Sequence, residues 1–258
     1  MRTSQMLRHN RGAYAITPGE YHHRMARVRA CQRVLATRPD VPVILDFRRW
    51  AGRPIAFRDA ECTDPVQAEG DPLGGVRHPI TWEIIATQPI SADRPYWTED
   101  GAVFGGGQSL HLQGFEFDTE EGAAVFRSSR QSGSGHYTLF EQRGDSLFLL
   151  DSRSDSLVRV TLRDDEGTSS TREPTVSWSD THTSVATYSI AEGSLSIRHN
   201  GTDDQTSIGL SGDIIGSEIV IGRSPAFGRG LHGAISTAAF YGSYLDMTQR
   251  TQIVEALS

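Results

Sequence analysis

The chain contains no lysine, and all 25 of its basic side chains are arginine. It has only two cysteines, Cys31 and Cys62, which is too few for a disulfide scaffold, and we interpret both as unpaired thiols. No apolar run approaches membrane-spanning length, and the first thirty residues lack the apolar core of a secretion signal. The sequence therefore predicts a protein made in a bacterial cytoplasm, without a membrane partner.

Charge is distributed very unevenly along the chain. Residues 1–50 carry ten arginines against three acids, whereas the other 208 residues carry fifteen arginines against twenty-nine acids. Phosphate contacts need clustered cations, so the acidic part argues against nucleic acid as a partner. The asymmetry predicts two parts: a basic arm over residues 1–42 that docks or anchors, and a body over residues 43–258 that displays a surface.

The basic arm is predicted to contain a helix over residues 18–36. Thr17 can cap this helix, Pro18 fits its first position and Glu20 completes a capping box. Its apolar residues form one stripe, and the arginines lie off that stripe. We expect three of them to anchor the protein: Arg24, Arg27 and Arg33. An acidic partner, the chain's own body and nucleic acid remain alternative contacts for this helix.

The body consists of short runs with β character, separated by turn signals such as Asn200-Gly201. We read residues 51–79 as a long loop. The predicted strands are Val43–Phe47, Ile80–Ala86, Ala123–Arg127, Tyr137–Gln142, Ser146–Leu150, Leu157–Leu162, Ser184–Ile190, Leu195–Asn200, Ile214–Ile221 and Ala234–Tyr241. A capping box at Asp246 predicts a closing helix over Asp246–Leu257. This order predicts an all-β fold, an antiparallel two-sheet jelly-roll sandwich with an N-terminal helical arm and a short C-terminal helix.

Two sets of residues resemble the concanavalin A-like (LamG-like) jelly roll, in the version found in bacteriophage structural proteins. The first set is Arg94-Pro95, Asp100-Gly101-Ala102-Val103-Phe104, Gly107 and Leu110. The second is Ile221-Gly222-Arg223, Gly233-Ala234-Ile235, Phe240-Tyr241, Leu245 and the closing helix. The likeness covers roughly residues 43–258, and it departs from the family pattern where Arg223 replaces a glycine. The resemblance implies a sandwich that binds sugars, binds proteins or only scaffolds.

Three acids at alternate positions form the one candidate catalytic motif: Glu116, Asp118 and Glu120. On a strand they would share one face. Two carboxylates so placed could run retaining glycoside hydrolysis, and the resemblance to glucanases of this fold implies Glu116 as nucleophile, Asp118 as helper and Glu120 as acid/base. The alternative is a loop, because Glu120-Glu121-Gly122 has turn character. We favour the loop and a protein that is not an enzyme.

Aromatic side chains are the candidate ligand contacts. Tyr96, Trp97 and Trp178 could stack on sugar rings, and Tyr96-Trp97 is expected to be exposed because it lies between a proline and an acidic turn. Trp82 is more consistent with a core position.

No cofactor is expected, and no metal site is assigned. The acidic turns at Asp164-Asp165-Glu166 and Asp203-Asp204 could supply oxygen ligands for Ca²⁺, but their spacing fits no defined loop motif. We interpret both as solvated turns.

Together these features predict a structural protein of a phage or phage-derived virion, such as a spike, fibre or decoration module. Its lectin-like body would bind surface polysaccharide in host adhesion, or protein. Its arm would attach an oligomer to capsid or tail proteins. The alternatives are a glycoside hydrolase of the same fold and a purely structural joint without a ligand.

Overall fold

The computed structural model describes residues 22, 26, 43–47, 54–79, 81–130, 136–152, 157–174 and 181–257. The strands within these ranges are β1 Val43–Asp46, β2 Ala56–Phe57, β3 Gly75–Arg77, β4 Ile84–Thr87, β5 Tyr96–Thr98, β6 Gly101–Gly105, β7 Leu110–Leu112, β8 Glu121–Arg130, β9 Tyr137–Arg143, β10 Leu147–Ser152, β11 Val158–Arg163, β12 Ser169–Arg172, β13 Thr181–Ser189, β14 Ser194–His199, β15 Thr202–Ser207, β16 Glu218–Ile221, β17 Arg223–Ser224, β18 Arg229–Gly230 and β19 His232–Tyr241. A 3-10 turn spans Ser91–Asp93, and helix α1 spans Met247–Leu257.

The strands form two antiparallel sheets. Sheet A has eight strands in the order β15-β14-β13-β8-β19-β6-β5, and β1 pairs with the second half of β19. Sheet B has nine strands in the order β12-β11-β10-β9-β16-β7-β4-β3-β2. Strands β17 and β18 pair only with each other and form a small hairpin. The predicted all-β two-sheet sandwich with a C-terminal helix is confirmed.

The main core lies between the sheets, where alternate residues of each strand point inward. On β8, Ala124 and Phe126 belong to this core, whereas Ala123 and Val125 belong to a second cluster. The Phe126 ring stacks on Phe140 of sheet B with centroids 5.5 Å apart and planes 9° from parallel. The strict alternation gives sheet A an apolar outer patch as well as an apolar inner face.

Helix α1 covers that outer patch of sheet A. Ile253 and Leu257 pack with Val125 and Val185 in the second cluster. The predicted capping box forms: the Gln249 amide donates to Asp246 Oδ1 at 2.8 Å, and the Asp246 amide donates to Gln249 Oε1 at 2.9 Å. The helix therefore begins where the sequence predicted and closes the outer side of the sheet.

Of the predicted connections between strands, one hairpin turn is confirmed and one long loop is wrong in part. Asn200 and Gly201 have φ of 46° and 84° and join His199 of β14 to Thr202 of β15, so this predicted two-residue hairpin is confirmed. The long loop predicted over residues 51–79 is wrong in part, because it contains β2 and β3. Alternation cannot reveal strands of two or three residues, whose positions depend on their neighbours.

The predicted strand Ile80–Ala86 is displaced toward the C-terminus. Strand β4 starts at Ile84, while Trp82 is half-buried with φ of 69°, in a turn rather than a strand. Trp82 packs against the second cluster, which also contains Ile253 and Leu257 of helix α1.

Of the predicted helix 18–36, the structure describes His22 and Ala26, and both are helical and exposed. The predicted anchoring residues Arg24, Arg27 and Arg33 lie outside the described residues, as do Cys31 and Trp178. In the part of the chain that the structure describes, no helix has both the length and the apolar character needed to cross a membrane.

Candidate ligand-binding face

The acidic motif Glu116 to Glu120 is a loop between β7 and β8, so the strand interpretation is wrong and the loop interpretation is confirmed. Strand β8 begins only at Glu121. Asp118 Oδ1 accepts the amide of Glu120 at 2.8 Å, and the Asp118 carbonyl accepts the Tyr188 hydroxyl at 2.7 Å. These bonds turn the chain, so the three carboxylates do not share the face of a strand.

The predicted aromatic pair is divided between core and surface. The Trp97 side chain is buried at 1% exposure, and its Nε1 donates to the Phe47 carbonyl at 2.7 Å. Its predicted exposure is wrong, and its ring is not available to a ligand. Tyr96 is 49% exposed on β5 at the edge of sheet A.

In the two acidic turns considered for Ca²⁺, Asp164 and Asp203 bind other groups of the protein. Asp164 is fully buried, and its Oδ1 accepts the Thr168 amide at 2.7 Å. Asp203 pairs with both Arg198 and Arg250. Within the described ranges, no group of three or more His, Cys, Asp or Glu side chains is arranged to hold a metal ion.

The outer face of sheet B carries a set of charged residues that belong to none of the predicted motifs. Strand register places Glu141 of β9 opposite Leu149 and Val220, and Asp151 of β10 opposite Arg159. The main core contains a chain neighbour of each of them, namely Phe140, Leu150 and Val160. These side chains therefore project away from the core, on the side where the β17–β18 hairpin lies.

Asp151 is fully buried at the centre of a cluster with two arginines, here called the arginine pair (Arg159 and Arg229). Arg159 Nε and Nη2 donate to its two oxygens at 2.8 and 2.6 Å, and Arg229 Nη1 donates at 3.1 Å. The arginine side chains remain 19% and 28% exposed. Both guanidinium groups thus donate to one carboxylate, and each stays partly exposed to solvent.

The β17–β18 hairpin fixes one member of the arginine pair beside an aromatic ring. The Ser224 hydroxyl donates to Glu141 Oε2, and both residues are fully buried. Phe227 at the hairpin tip is 47% exposed, with the Arg229 guanidinium 5.1 Å from its ring centroid. The hairpin thus exposes an aromatic ring beside a guanidinium, and the buried Ser224–Glu141 contact attaches it to sheet B.

Gly222 lets the chain turn from β16 into this hairpin. Its φ is +83°, and a Cβ there would lie 2.3 Å from the Phe104 ring. The next residue, Arg223, where the sequence departs from the family pattern, starts β17 and pairs with Gly230. The departure therefore falls on the hairpin that holds Phe227 and Arg229.

A second feature of the same face is an open groove of about 580 Å³, here called the His111 groove. It is lined by His111, Leu112, Gln113, Gly114, Phe115, Glu116, Ser217, Glu218 and Ile219. His111 Nδ1 lies 2.8 Å from Glu218 Oε1, and Arg143 donates to Glu218 Oε2 at 2.6 Å. Partial burial raises the pKa of Glu218, but Arg143 and then His111 outweigh that effect and hold the pKa below its ordinary value.

The arginine pair and the His111 groove lie on different strands of sheet B, because Asp151 and Arg159 belong to β10 and β11 and the groove is lined by β7 and β16. Arg143, the partner of Glu218, is opposite Leu147, and Asp151 follows Leu147 by four residues on β10. Four residues of extended strand span about 13 Å. The two features are therefore separate positions on one continuous face.

These candidate residues could not all be predicted from the sequence, for different reasons. Arg159 stands between Val158 and Val160 in a run whose alternation was recognised, so its outward direction was available from the sequence. Phe227 and Arg229 lie in a loop without periodicity, and only the folded hairpin places them next to Asp151 of another strand.

No protein-family model and no curated protein matches the chain. Among solved structures, the CBM40 domain of the Ruminococcus gnavus IT-sialidase bound to α2,3-sialyllactose has a TM-score of 0.52 and 15% identity, covering 60% of this chain and 96% of that one. A second structure of that CBM40 domain has a TM-score of 0.51 and 17% identity, covering 61% of this chain and 96% of that one. These similarities show that the chain has a jelly-roll fold.

Proposed function

We propose that this protein is a glycan-binding module that uses the outer face of sheet B, and that its ligand carries a carboxylate. The observation that carries the proposal is the arginine pair around buried Asp151, beside the exposed ring of Phe227. In this proposal the module binds its glycan and does not cleave it.

The chemistry of the cluster suits an acidic sugar. A guanidinium presents a planar fork of donors that matches a carboxylate, and such charge-assisted bonds are stronger than neutral ones. An exposed aromatic ring can pack against the apolar face of a pyranose, since it offers a large surface at little entropic cost. The CBM40 domain of similar fold binds sialyllactose, whose terminal sugar bears a carboxylate.

The cluster is also organised before a ligand arrives. Asp151 holds Arg159 through two hydrogen bonds, and the buried Ser224–Glu141 contact ties down the hairpin that carries Arg229. Side chains that are already ordered lose less conformational entropy on binding. The buried carboxylates therefore support binding by positioning the cations rather than by contacting the sugar.

The test is isothermal titration calorimetry with 3′-sialyllactose, with lactose as the ligand that lacks the carboxylate. We expect the wild type to bind only the acidic sugar. Arg229→Met should weaken binding by at least about tenfold, because a hydrogen bond between charged partners contributes about 1.5–3 kcal/mol. Arg58→Met is the matched control, since Arg58 pairs with Asp64 near the β2 edge of sheet B. Equal affinity in wild type, Arg159→Met and Arg229→Met would refute the site.

We also propose that the module is displayed on a phage or phage-derived particle, with residues 1–42 attached to capsid or tail proteins of an oligomeric assembly. The charge split of the sequence supports this role, because a segment rich in arginine can bind an acidic partner while the acidic body stays outside. Deleting residues 1–40 should abolish incorporation into particles while glycan binding persists. Full incorporation of the truncated protein would refute the attachment.

A further inference from the structure

The His111 groove differs in chemistry from the arginine pair, although both lie on the outer face of sheet B. The Glu116 and Glu218 carboxylates oppose a single guanidinium among the described residues, that of Arg143. This excess of negative charge disfavours a second carboxylate in the groove. Hydroxyl groups, which can both donate and accept, suit such a lining better.

The polar groups of the groove are held in place. Glu218 is fixed from two sides, by His111 and by Arg143. The Gln113 side chain donates to the His111 carbonyl at 3.2 Å, which orients its amide along the groove wall. Glu116 is exposed in the loop that follows β7. Fixed donors and acceptors around an open cleft are the features that orient a small polar ligand.

The position of the groove relates it to the acidic site. Glu218 of the groove is offset from Asp151 by about 13 Å along the strands and, because β9 separates β10 from β16, by about 10 Å across them. This separation is too large for one sugar unit to touch both features but within reach of a chain of linked sugars. The His111 and Glu218 side chains are 33% and 32% exposed, so a ligand can contact both from solvent.

We propose that the His111 groove is a second subsite for uncharged sugar units of the same glycan, whose acidic end lies at the arginine pair. This inference rests on the proposed function and extends it, because the preferred ligand becomes an oligosaccharide with one acidic end rather than an acidic monosaccharide. Glu116 and His111 act as hydrogen-bonding partners for the hydroxyls of the uncharged units.

The experiment compares three ligands by calorimetry: the methyl glycoside of N-acetylneuraminic acid, 3′-sialyllactose, and a sialylated pentasaccharide. For the wild type we expect affinity to rise with length, by at least about tenfold between the first and last ligand. Glu116→Gln and His111→Ala should each remove most of that gain and leave the monosaccharide affinity unchanged. Glu120→Gln is the matched control, because Glu120 lies in the same loop but does not line the groove.

The outcomes separate the two proposals. A wild type that binds monosaccharide and pentasaccharide equally, or a Glu116→Gln variant that keeps the full gain, overturns the second subsite and leaves the acidic site standing. A wild type that binds none of the three ligands overturns the proposed function and this inference together. Circular dichroism of each variant verifies folding, and Glu116→Gln decides the question if His111→Ala fails to fold.

Discussion

Substitution of Arg250 tests how much its buried contacts between helix α1 and the body contribute to stability. Its side chain is only 1% exposed, on the face of α1 that meets the body. Its Nε lies 3.2 Å from Asp203 Oδ1, and its Nη1 donates to the Leu245 carbonyl at 2.8 Å. Substitution Arg250→Met keeps most of the apolar stem and removes the charge and all the donors.

The expected loss of stability in Arg250→Met depends on the partners that the substitution leaves unpaired. Breaking a buried ion pair typically costs about 3–5 kcal/mol, since the remaining charge is stranded. Here Asp203 keeps Arg198 as a partner, which places the cost at the lower end of that range. The Leu245 carbonyl loses a donor, and an unsatisfied buried acceptor costs about 1–3 kcal/mol. Taking the low end of both ranges, we expect the free energy of unfolding to fall by about 4 kcal/mol.

Arg143→Met supplies the control with the same chemical change. Arg143 also pairs with a carboxylate, Glu218, but its side chain is 45% exposed. An exposed pair contributes at most about 1 kcal/mol, because water and salt screen it. Both variants should be compared with the wild type by urea unfolding, followed by far-ultraviolet circular dichroism. The denaturant slope should stay constant if only stability changes.

The reasoning fails if Arg250→Met lowers the unfolding free energy by less than about 1 kcal/mol, or if Arg143→Met costs as much as Arg250→Met. Either result would mean that burial does not determine the contribution of these arginines. A double variant with Asp203→Asn adds a coupling measurement, since the two changes should be clearly non-additive if the side chains interact.

Three further predictions concern single groups. Burial raises the pKa of the Cys62 thiol to about 11. In a Cys31→Ser background, the native protein should therefore react slowly with a disulfide reagent at pH 8 and rapidly once unfolded. Fast labelling of the native protein would contradict the burial of Cys62. The folded-state pKa of Glu218 is lowered from 4.5, so its ion pair should stabilise the fold above that pH and lose its contribution as pH falls through the lowered value. The stability difference between wild type and Glu218→Gln should therefore shrink in acid. A difference that does not depend on pH would refute this. Asp246→Ala should lower the unfolding free energy by about 1 kcal/mol through loss of the cap of α1, and an unchanged urea midpoint would show that the cap contributes nothing.

Local patterns in the sequence determined much of the architecture. Alternation in runs such as Leu157–Leu162 predicted strands, because a strand with one buried face must repeat with period two. The Asp246 capping box predicted the start of α1, since its bonds join residues three apart and need nothing from the rest of the chain. These features depend only on neighbouring residues, and for that reason they could be found without coordinates.

Tertiary structure decided the candidate site. The Glu116, Asp118 and Glu120 pattern would have required a strand, but the chain turns there because Asp118 accepts the amide of Glu120. The arginine pair joins Arg159 and Arg229, seventy residues apart in the sequence, around the carboxylate of Asp151. The sequence by itself determined which residues could form strands and which face of each strand would be buried. Only the packing of a distant hairpin onto β9 and β10 placed those cations together, because no local period relates positions on separate strands.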